Sequence, residues 1–265
     1  MEKKSRFFKY KNRDVAYSVL GEGKPLIILH GWGSSSRVME PIARLLAHQR
    51  ECYLIDLPGF GKSPEPSEPW GIDDYADMVE AFVETLGLNT IDLLVHSYGG
   101  RITLKLLARD SLLYRVGKVL ITGGAGMKPK RSITFYLKKY AAKTLKFPFL
   151  ILPGKLRERS LSWLRSSRLW KMLGSSDYSK LSGVMRQTFV KSVTEHLDQL
   201  LPDIDNEILL LWGENDDATP LYQAERMEKG LKNSALVVID HAGHYAFLDK
   251  PKRFAAIAEA FFNED

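Results

Sequence analysis

The chain has 265 residues, 45% hydrophobic and 26% charged, enough apolar material for one large domain or one domain with a sizeable insertion. That content excludes a disordered chain, and twenty glycines and twelve prolines scattered without a period exclude a collagenous or low-complexity one. Formal net charge is only +6, from 38 Lys and Arg against 32 Asp and Glu, a weak pointer to an acidic partner.

The charged start Met1-Glu2-Lys3-Lys4-Ser5-Arg6 leads into only two phenylalanines, so no secretory signal is expected. No stretch reaches the roughly eighteen consecutive apolar residues of a spanning helix, so no transmembrane segment is expected and the cytoplasm is the expected location. Arg6–Tyr10 and Val15–Leu20, flanking Asn12-Arg13, predict a hairpin that ends at Gly21-Glu22-Gly23-Lys24-Pro25. Six short, mostly apolar runs follow: Leu26–Leu29, Tyr53–Ile55, Ile91–Val95, Val116–Ile121, Glu207–Leu211 and Ala235–Ile239. Continuous apolar strands suit a parallel sheet buried on both faces. Helical periodicity falls between them, over Val38–Ala47, Tyr75–Leu86, Gly100–Ala108, Leu221–Lys229 and Phe254–Phe262. The alternation predicts an α/β, doubly wound, mostly parallel sheet with function at the carboxyl ends of its strands. The one cysteine, Cys52, lies inside such a run, cannot form an internal disulfide and reads as a small buried hydrophobe.

The strand ends carry the informative residues. They read His30-Gly31-Trp32-Gly33, Asp56-Leu57-Pro58-Gly59-Phe60-Gly61-Lys62-Ser63, Val95-His96-Ser97-Tyr98-Gly99-Gly100, Trp212-Gly213-Glu214-Asn215-Asp216 and His241-Ala242-Gly243-His244. In these motifs and their order the chain resembles the serine α/β-hydrolases, over nearly all its length outside roughly Met127 to Leu200. The family's nucleophile elbow, G-x-S-x-G, corresponds to Val95–Gly99, with Val95 in place of the first glycine. The resemblance implies a triad of Ser97 as nucleophile, His244 as base and Asp216 as the acid that orients it. It implies an oxyanion hole from the backbone N–H groups of Trp32 and Tyr98. Asp216 is preferred to Asp217 because Trp212-Gly213-x-x-Asp216-x-x-x-Pro220 matches the family's spacing. His244 is preferred to His241 because it follows a small residue in a turn. His30 and Asp56 are assigned to loop support, His96 is expected to point away from the site, and His48 and His196 carry no motif.

Gly61-Lys62-Ser63 is not a phosphate loop, since that loop needs glycine where Asp56 stands. His241 with His244 is the only close pair of metal-type ligands, so neither a metal nor any other cofactor is expected.

Residues 127–200 fall where the family inserts a helical cap, which divides the chain into a hydrolase core over 1–126 and 201–265 and a cap over 127–200. That segment holds sixteen Lys and Arg against four acids, a net of +12, while the remainder has 22 bases and 28 acids, a net of −6. Phe135, Tyr136, Leu145, Phe147, Phe149, Leu150, Ile151, Leu152, Trp163, Leu164, Trp170 and Met172 are interleaved with its bases. An amphipathic lid that turns apolar residues to the active site and bases to water accounts for the pattern. Alternatives are attraction of an anionic substrate or an acidic carrier protein, and association with anionic membrane. No recognised nucleic-acid module is present.

The resemblance implies a carboxylesterase-like hydrolysis of a small-molecule ester through an acyl-enzyme. Carbon–carbon hydrolysis of ring-cleavage products and demethylation of a carrier-protein ester are the other catalytic readings. A non-catalytic ligand receptor on the same fold is the reading from another class.

Overall fold

The computed structural model describes residues 4–109, 116–130, 133–167, 181 and 183–263. Strands β1 (Lys4–Tyr10) and β2 (Arg13–Leu20) pair antiparallel with Tyr10 opposite Arg13. Only Lys11 and Asn12 remain for the turn, both with left-handed φ, of 46° and 60°, the geometry that matches the natural twist of a two-residue hairpin. The turn is thus one residue earlier than the sequence suggests, and both strands are longer.

β3 (Lys24–Leu29) and helix α1 (Ser36–Leu46) lead to β4 (Arg50–Ile55), then α2 (Ile72–Thr85), β5 (Ile91–His96), α3 (Tyr98–Leu107) and β6 (Val116–Thr122). α2 starts three residues before the predicted Tyr75, where the Gly71 N–H donates to the Asp74 carboxylate at 2.8 Å and closes the first turn. After β6 come α4 (Ile133–Leu150), α5 (Gly154–Ser166), α6 (Gly183–Thr194) and a 3-10 turn over Asp198–Asp203. β7 (Ile208–Gly213), α7 (Leu221–Gly230), β8 (Ser234–Ile239), α8 (Ala246–Asp249) and α9 (Pro251–Phe262) complete the order.

The described strands form one eight-stranded sheet in the order β1-β2-β4-β3-β5-β6-β7-β8, antiparallel at β1-β2-β4 and parallel elsewhere. Side chains alternate across it, so Leu26 and Ile28 pack with α1 and α9 on one face while Ile27 and Leu29 pack with α2 and α3 on the other. The predicted doubly wound architecture is present. Connections leave β3 toward β4 on one side and continue from β5 on the other, so a crevice opens between the carboxyl ends of β3 and β5.

The insertion between β6 and β7 is held unevenly. α6 is tied to the sheet side: the Trp70 N–H donates to Thr188 Oγ1 at 3.0 Å, Tyr98 Oη lies 2.8 Å from Ser192 Oγ, and Arg101 donates to the Ser192 carbonyl at 2.8 Å. α4 and α5 pack on each other. Here the amphipathic-lid expectation needs correction for the described residues. Leu164 is buried and Leu145, Phe149 and Leu152 are half-buried, but Phe147, Leu150, Ile151 and Trp163 stand in solvent. The physical reason is spacing: residues 147–152 are nearly all apolar in succession, so they surround the end of the helix pair and cannot form one inward stripe. The side chains of Phe135 and Tyr136, and all of Trp170 and Met172, lie outside what the structure describes.

Candidate active site

Ser97 stands at the crevice, between the last residue of β5 and the first of α3. Its φ of 51° and ψ of −104° lie in a region that non-glycine residues rarely adopt. Such a turn lifts the hydroxyl above the sheet. Close packing holds it there: a Cβ on Gly99 would sit 2.8 Å from both Cβ and the carbonyl oxygen of Leu29, and one on Gly31 would sit 3.2 Å from Ser97 Cβ. Val95, where the family pattern has glycine, is fully buried in the core cluster that includes Tyr98 and Ile102, and the strained turn forms regardless.

Two further loops meet the crevice from β7 and β8. They are stitched together by the Asn215 N–H donating to the Ala242 carbonyl at 2.8 Å and the Glu214 N–H donating to Ile239 at 3.0 Å. In consequence His244 Nδ1 lies 2.9 Å from Asp216 Oδ2, residues 28 apart in sequence. Asp216 is buried and also accepts from the amides of Ala218 and Thr219, at 2.9 and 2.8 Å, and from the Thr219 hydroxyl at 2.8 Å. Burial alone would raise its carboxyl pKa, but the hydrogen bonds from His244 and Thr219 outweigh this and hold it below the usual value. Trp212 Nε1 donates to the Thr219 carbonyl at 2.7 Å and clamps the same loop. Thr219 is a site-supporting residue that sequence reasoning missed; its place three residues after the acid was the only signal.

The amides of Trp32 and Tyr98 are fixed through the other half of their peptide units. Because a peptide is planar, pinning the carbonyl of residue 31 or 97 aims the N–H of the next residue. The Gly31 carbonyl accepts from His30 Nδ1 at 2.7 Å. His30 Nε2 in turn accepts from the Leu57 N–H at 3.1 Å, which assigns the neutral tautomer, and burial lowers its pKa to about 4. The Ser97 carbonyl accepts from Gly100 and Ala125, each at 3.0 Å. Tyr98 is also the first residue of α3, whose opening amides have no intrahelical acceptor.

Gly31, Trp32, Gly33, His96, Ser97, Leu181, Asp217, Ala218, His244 and Tyr245 line one cavity of about 600 Å³. The structure therefore brings Ser97, His244 and the Trp32 segment to one space, with Asp216 behind the imidazole. Asp217 is an exposed wall residue, and His241 projects into solvent near Glu214. His96 departs from expectation. It faces the site, its ring 4.6 Å from that of His244, and Nε2–H donates to the His244 carbonyl at 3.1 Å. Burial, with the adjacent His244, lowers its pKa to about 3, so it supports the loop as a neutral ring. Asp56 accepts from the amides of Ser36 and Lys62, at 2.7 and 2.9 Å, and organises the loop after β4. The Trp32 ring packs on Phe60, Tyr98 and Phe189, and Cys52 is buried. Among the described residues no cluster of three His, Cys, Asp or Glu side chains has metal-binding geometry, and no helix is long and apolar enough to cross a membrane.

A sequence profile of the α/β hydrolase fold matches residues 24–251. The chain belongs to the α/β hydrolase family. Within it, the chain is 28% identical over 258 residues to the AB hydrolase superfamily protein YisY of Bacillus subtilis, covering 92% of this chain and 93% of that protein. It is also 28% identical over 251 residues to a pimeloyl-(acyl-carrier protein) methyl ester esterase of Neisseria meningitidis, covering 90% and 93%. Among solved hydrolases, the 2-hydroxy-6-oxo-6-phenylhexa-2,4-dienoate hydrolase of a Rhodococcus species superposes with a TM-score of 0.72 at 22% identity, covering 98% of this chain and 99% of that one. That last likeness establishes the shared fold alone.

Proposed function

We propose that the protein is a serine hydrolase that cleaves a small, uncharged carboxylic ester through an acyl-enzyme intermediate. The observation that carries this reading is the His244–Asp216 hydrogen bond beside the strained Ser97 in a single cavity. Ser97 Oγ attacks the ester carbonyl carbon while His244 Nε2 takes the hydroxyl proton, and Asp216 holds the imidazole with Nδ1–H toward its carboxylate. The carbonyl oxygen, now negative, is met by the N–H groups of Trp32 and Tyr98. Collapse expels the alcohol, which leaves with the proton from His244. Water then attacks the acyl-serine by the same relay, releasing the acid and restoring Ser97.

The lining favours an ester over a ring-cleavage product. Such products carry carboxylate or enolate charge, whereas the described lining holds no Lys or Arg and presents Asp217. A neutral acyl or aryl ester makes no such demand. The test is a series of p-nitrophenyl esters from acetyl to decanoyl. Turnover is expected with the wild type, falling roughly 10⁴-fold or more in Ser97→Ala. Hydrolysis unchanged by Ser97→Ala, or absent across the series, would leave a ligand receptor as the better description. A second reading, a carrier-protein ester, is favoured by the Neisseria relative and by the +12 charge of residues 127–200, which would form a basic cap suited to an acidic carrier. In an assay of methyl-ester hydrolysis it requires the carrier-borne methyl ester to exceed the free methyl ester in kcat/KM, with an advantage that salt removes.

A further inference from the structure

Away from the cavity, exposed apolar surface is concentrated in one place. Of eleven large hydrophobic side chains that stand exposed among the described residues, six lie between Tyr140 and Trp163. Scattered single residues of this kind are ordinary, whereas a contiguous group marks a contact surface. The densest part is the turn from α4 to α5, where Phe147, Leu150, Ile151 and Leu156 project, Ile151 being 71% exposed. Pro148 lies within the last turn of α4 and Pro153 stands at the N-cap of α5. Lys143 on α4 and Lys155, Arg157 and Arg159 on α5 are exposed around it, and Glu158 is the sole acid between residues 127 and 167.

We propose that this turn is an interfacial anchor that seats the protein on an anionic lipid bilayer. The four projecting side chains crown the end of a helix pair, ringed by bases. A fluid apolar phase accepts projecting side chains without a matching shape. A folded protein would need a cleft that takes all four. The surrounding bases stand where lipid headgroups lie when the crown is inserted, and each base near a negative leaflet adds to the attraction. The apolar stretch is far too short to span, so the contact is superficial and reversible. This inference is independent of the ester-hydrolase reading.

The full-length chain is sedimented with vesicles of phosphatidylcholine alone and of phosphatidylcholine mixed equally with phosphatidylglycerol. Partition into the mixed vesicles is expected to exceed that into the neutral ones and to weaken as salt rises from ~0.1 to ~1 M, where the screening length shrinks from ~10 to ~3 Å. Leu150→Ser with Ile151→Asp should lower partition about tenfold or more, and so should Lys155→Glu with Arg157→Glu. Circular dichroism and Tm are expected to match the wild type, since all four positions are exposed. Absence of vesicle binding at low salt, or equal partition of wild type and both variants, overturns the proposal. So does retention of an acidic carrier protein that the charge reversal abolishes while vesicles are ignored, which would make the turn a protein-docking surface.

Discussion

At the scale of single residues, the site depends on groups that orient other groups. His244 has two ring nitrogens, and only the tautomer with the proton on Nδ1 leaves Nε2 free to accept from a serine. The buried Asp216 enforces that tautomer, and two amides and a hydroxyl enforce Asp216. Asp216→Asn keeps the size but offers an NH₂ donor, which favours the other tautomer. With p-nitrophenyl acetate we expect kcat to fall by roughly 10⁴-fold with little change in KM, and with Tm within a few degrees of wild type. A fall confined to KM would place Asp216 in substrate binding instead. The sequence singles out Asp216 and His244 because each lies in the loop that follows a strand-like run. Thr219 and the inward direction of the His96 ring were not legible, because Thr219 has no motif of its own and the facing of His96 depends on turns whose path a one-dimensional pattern does not contain.

At the scale of elements, the strands that carry the site are locked from their opposite ends. Asp92, fully buried at the start of β5, bonds Arg50 at the start of β4 at 3.0 Å and accepts from the Lys118 N–H at 2.9 Å. Lys24 at the start of β3 lies 3.4 Å away. One carboxylate thus joins four strands. Asp92→Ala would leave the buried Arg50 guanidinium uncompensated, for which about 3–5 kcal/mol of stability is expected to be lost in urea unfolding. The ester hydrolysis proposed above should persist per folded molecule, because the pair lies a strand length from Ser97. A loss below about 1 kcal/mol would show that water or Lys24 replaces the partner. The strands were readable from apolar runs alone. Their polar opening positions were not, since Lys24, Arg50 and Asp92 look like surface positions until the strands lie side by side.

For the whole molecule, two neutral histidines are buried in the core that supports the site. Burial holds the pKa of His30 to about 4 and that of His96 to about 3, against about 6.5 in an unfolded chain. Above pH 6.5 both states are neutral and stability is complete. As pH falls below that value the unfolded chain binds protons that the folded one refuses, so stability declines by up to about 1.4 kcal/mol per pH unit for each histidine, and does so until the folded values are reached. Asp216 acts in a separate window, since its lowered pKa gives stability that is present above pH ~4 and lost only below. Urea midpoints at pH 7.5, 6 and 5 should therefore fall steadily, and His96→Gln should flatten the decline. A midpoint constant from pH 7.5 to 5 would contradict neutral burial of both rings.

The sequence by itself determined the layered fold, because continuous apolar runs separated by helical periods can be buried only as a parallel sheet between helices. It also pointed to the strand ends as the place of the candidate site, because a sheet buried on both faces opens to solvent mainly there. Tertiary structure decided which groups support the candidate site and which way the described apolar residues of the insertion face. Those outcomes depend on partners tens of residues away, such as Ala125 on Ser97, His244 on Asp216 and Ser192 on Tyr98. Hydrogen bonds and exposure are properties of the packed chain, and local pattern fixes them only where both partners share an element.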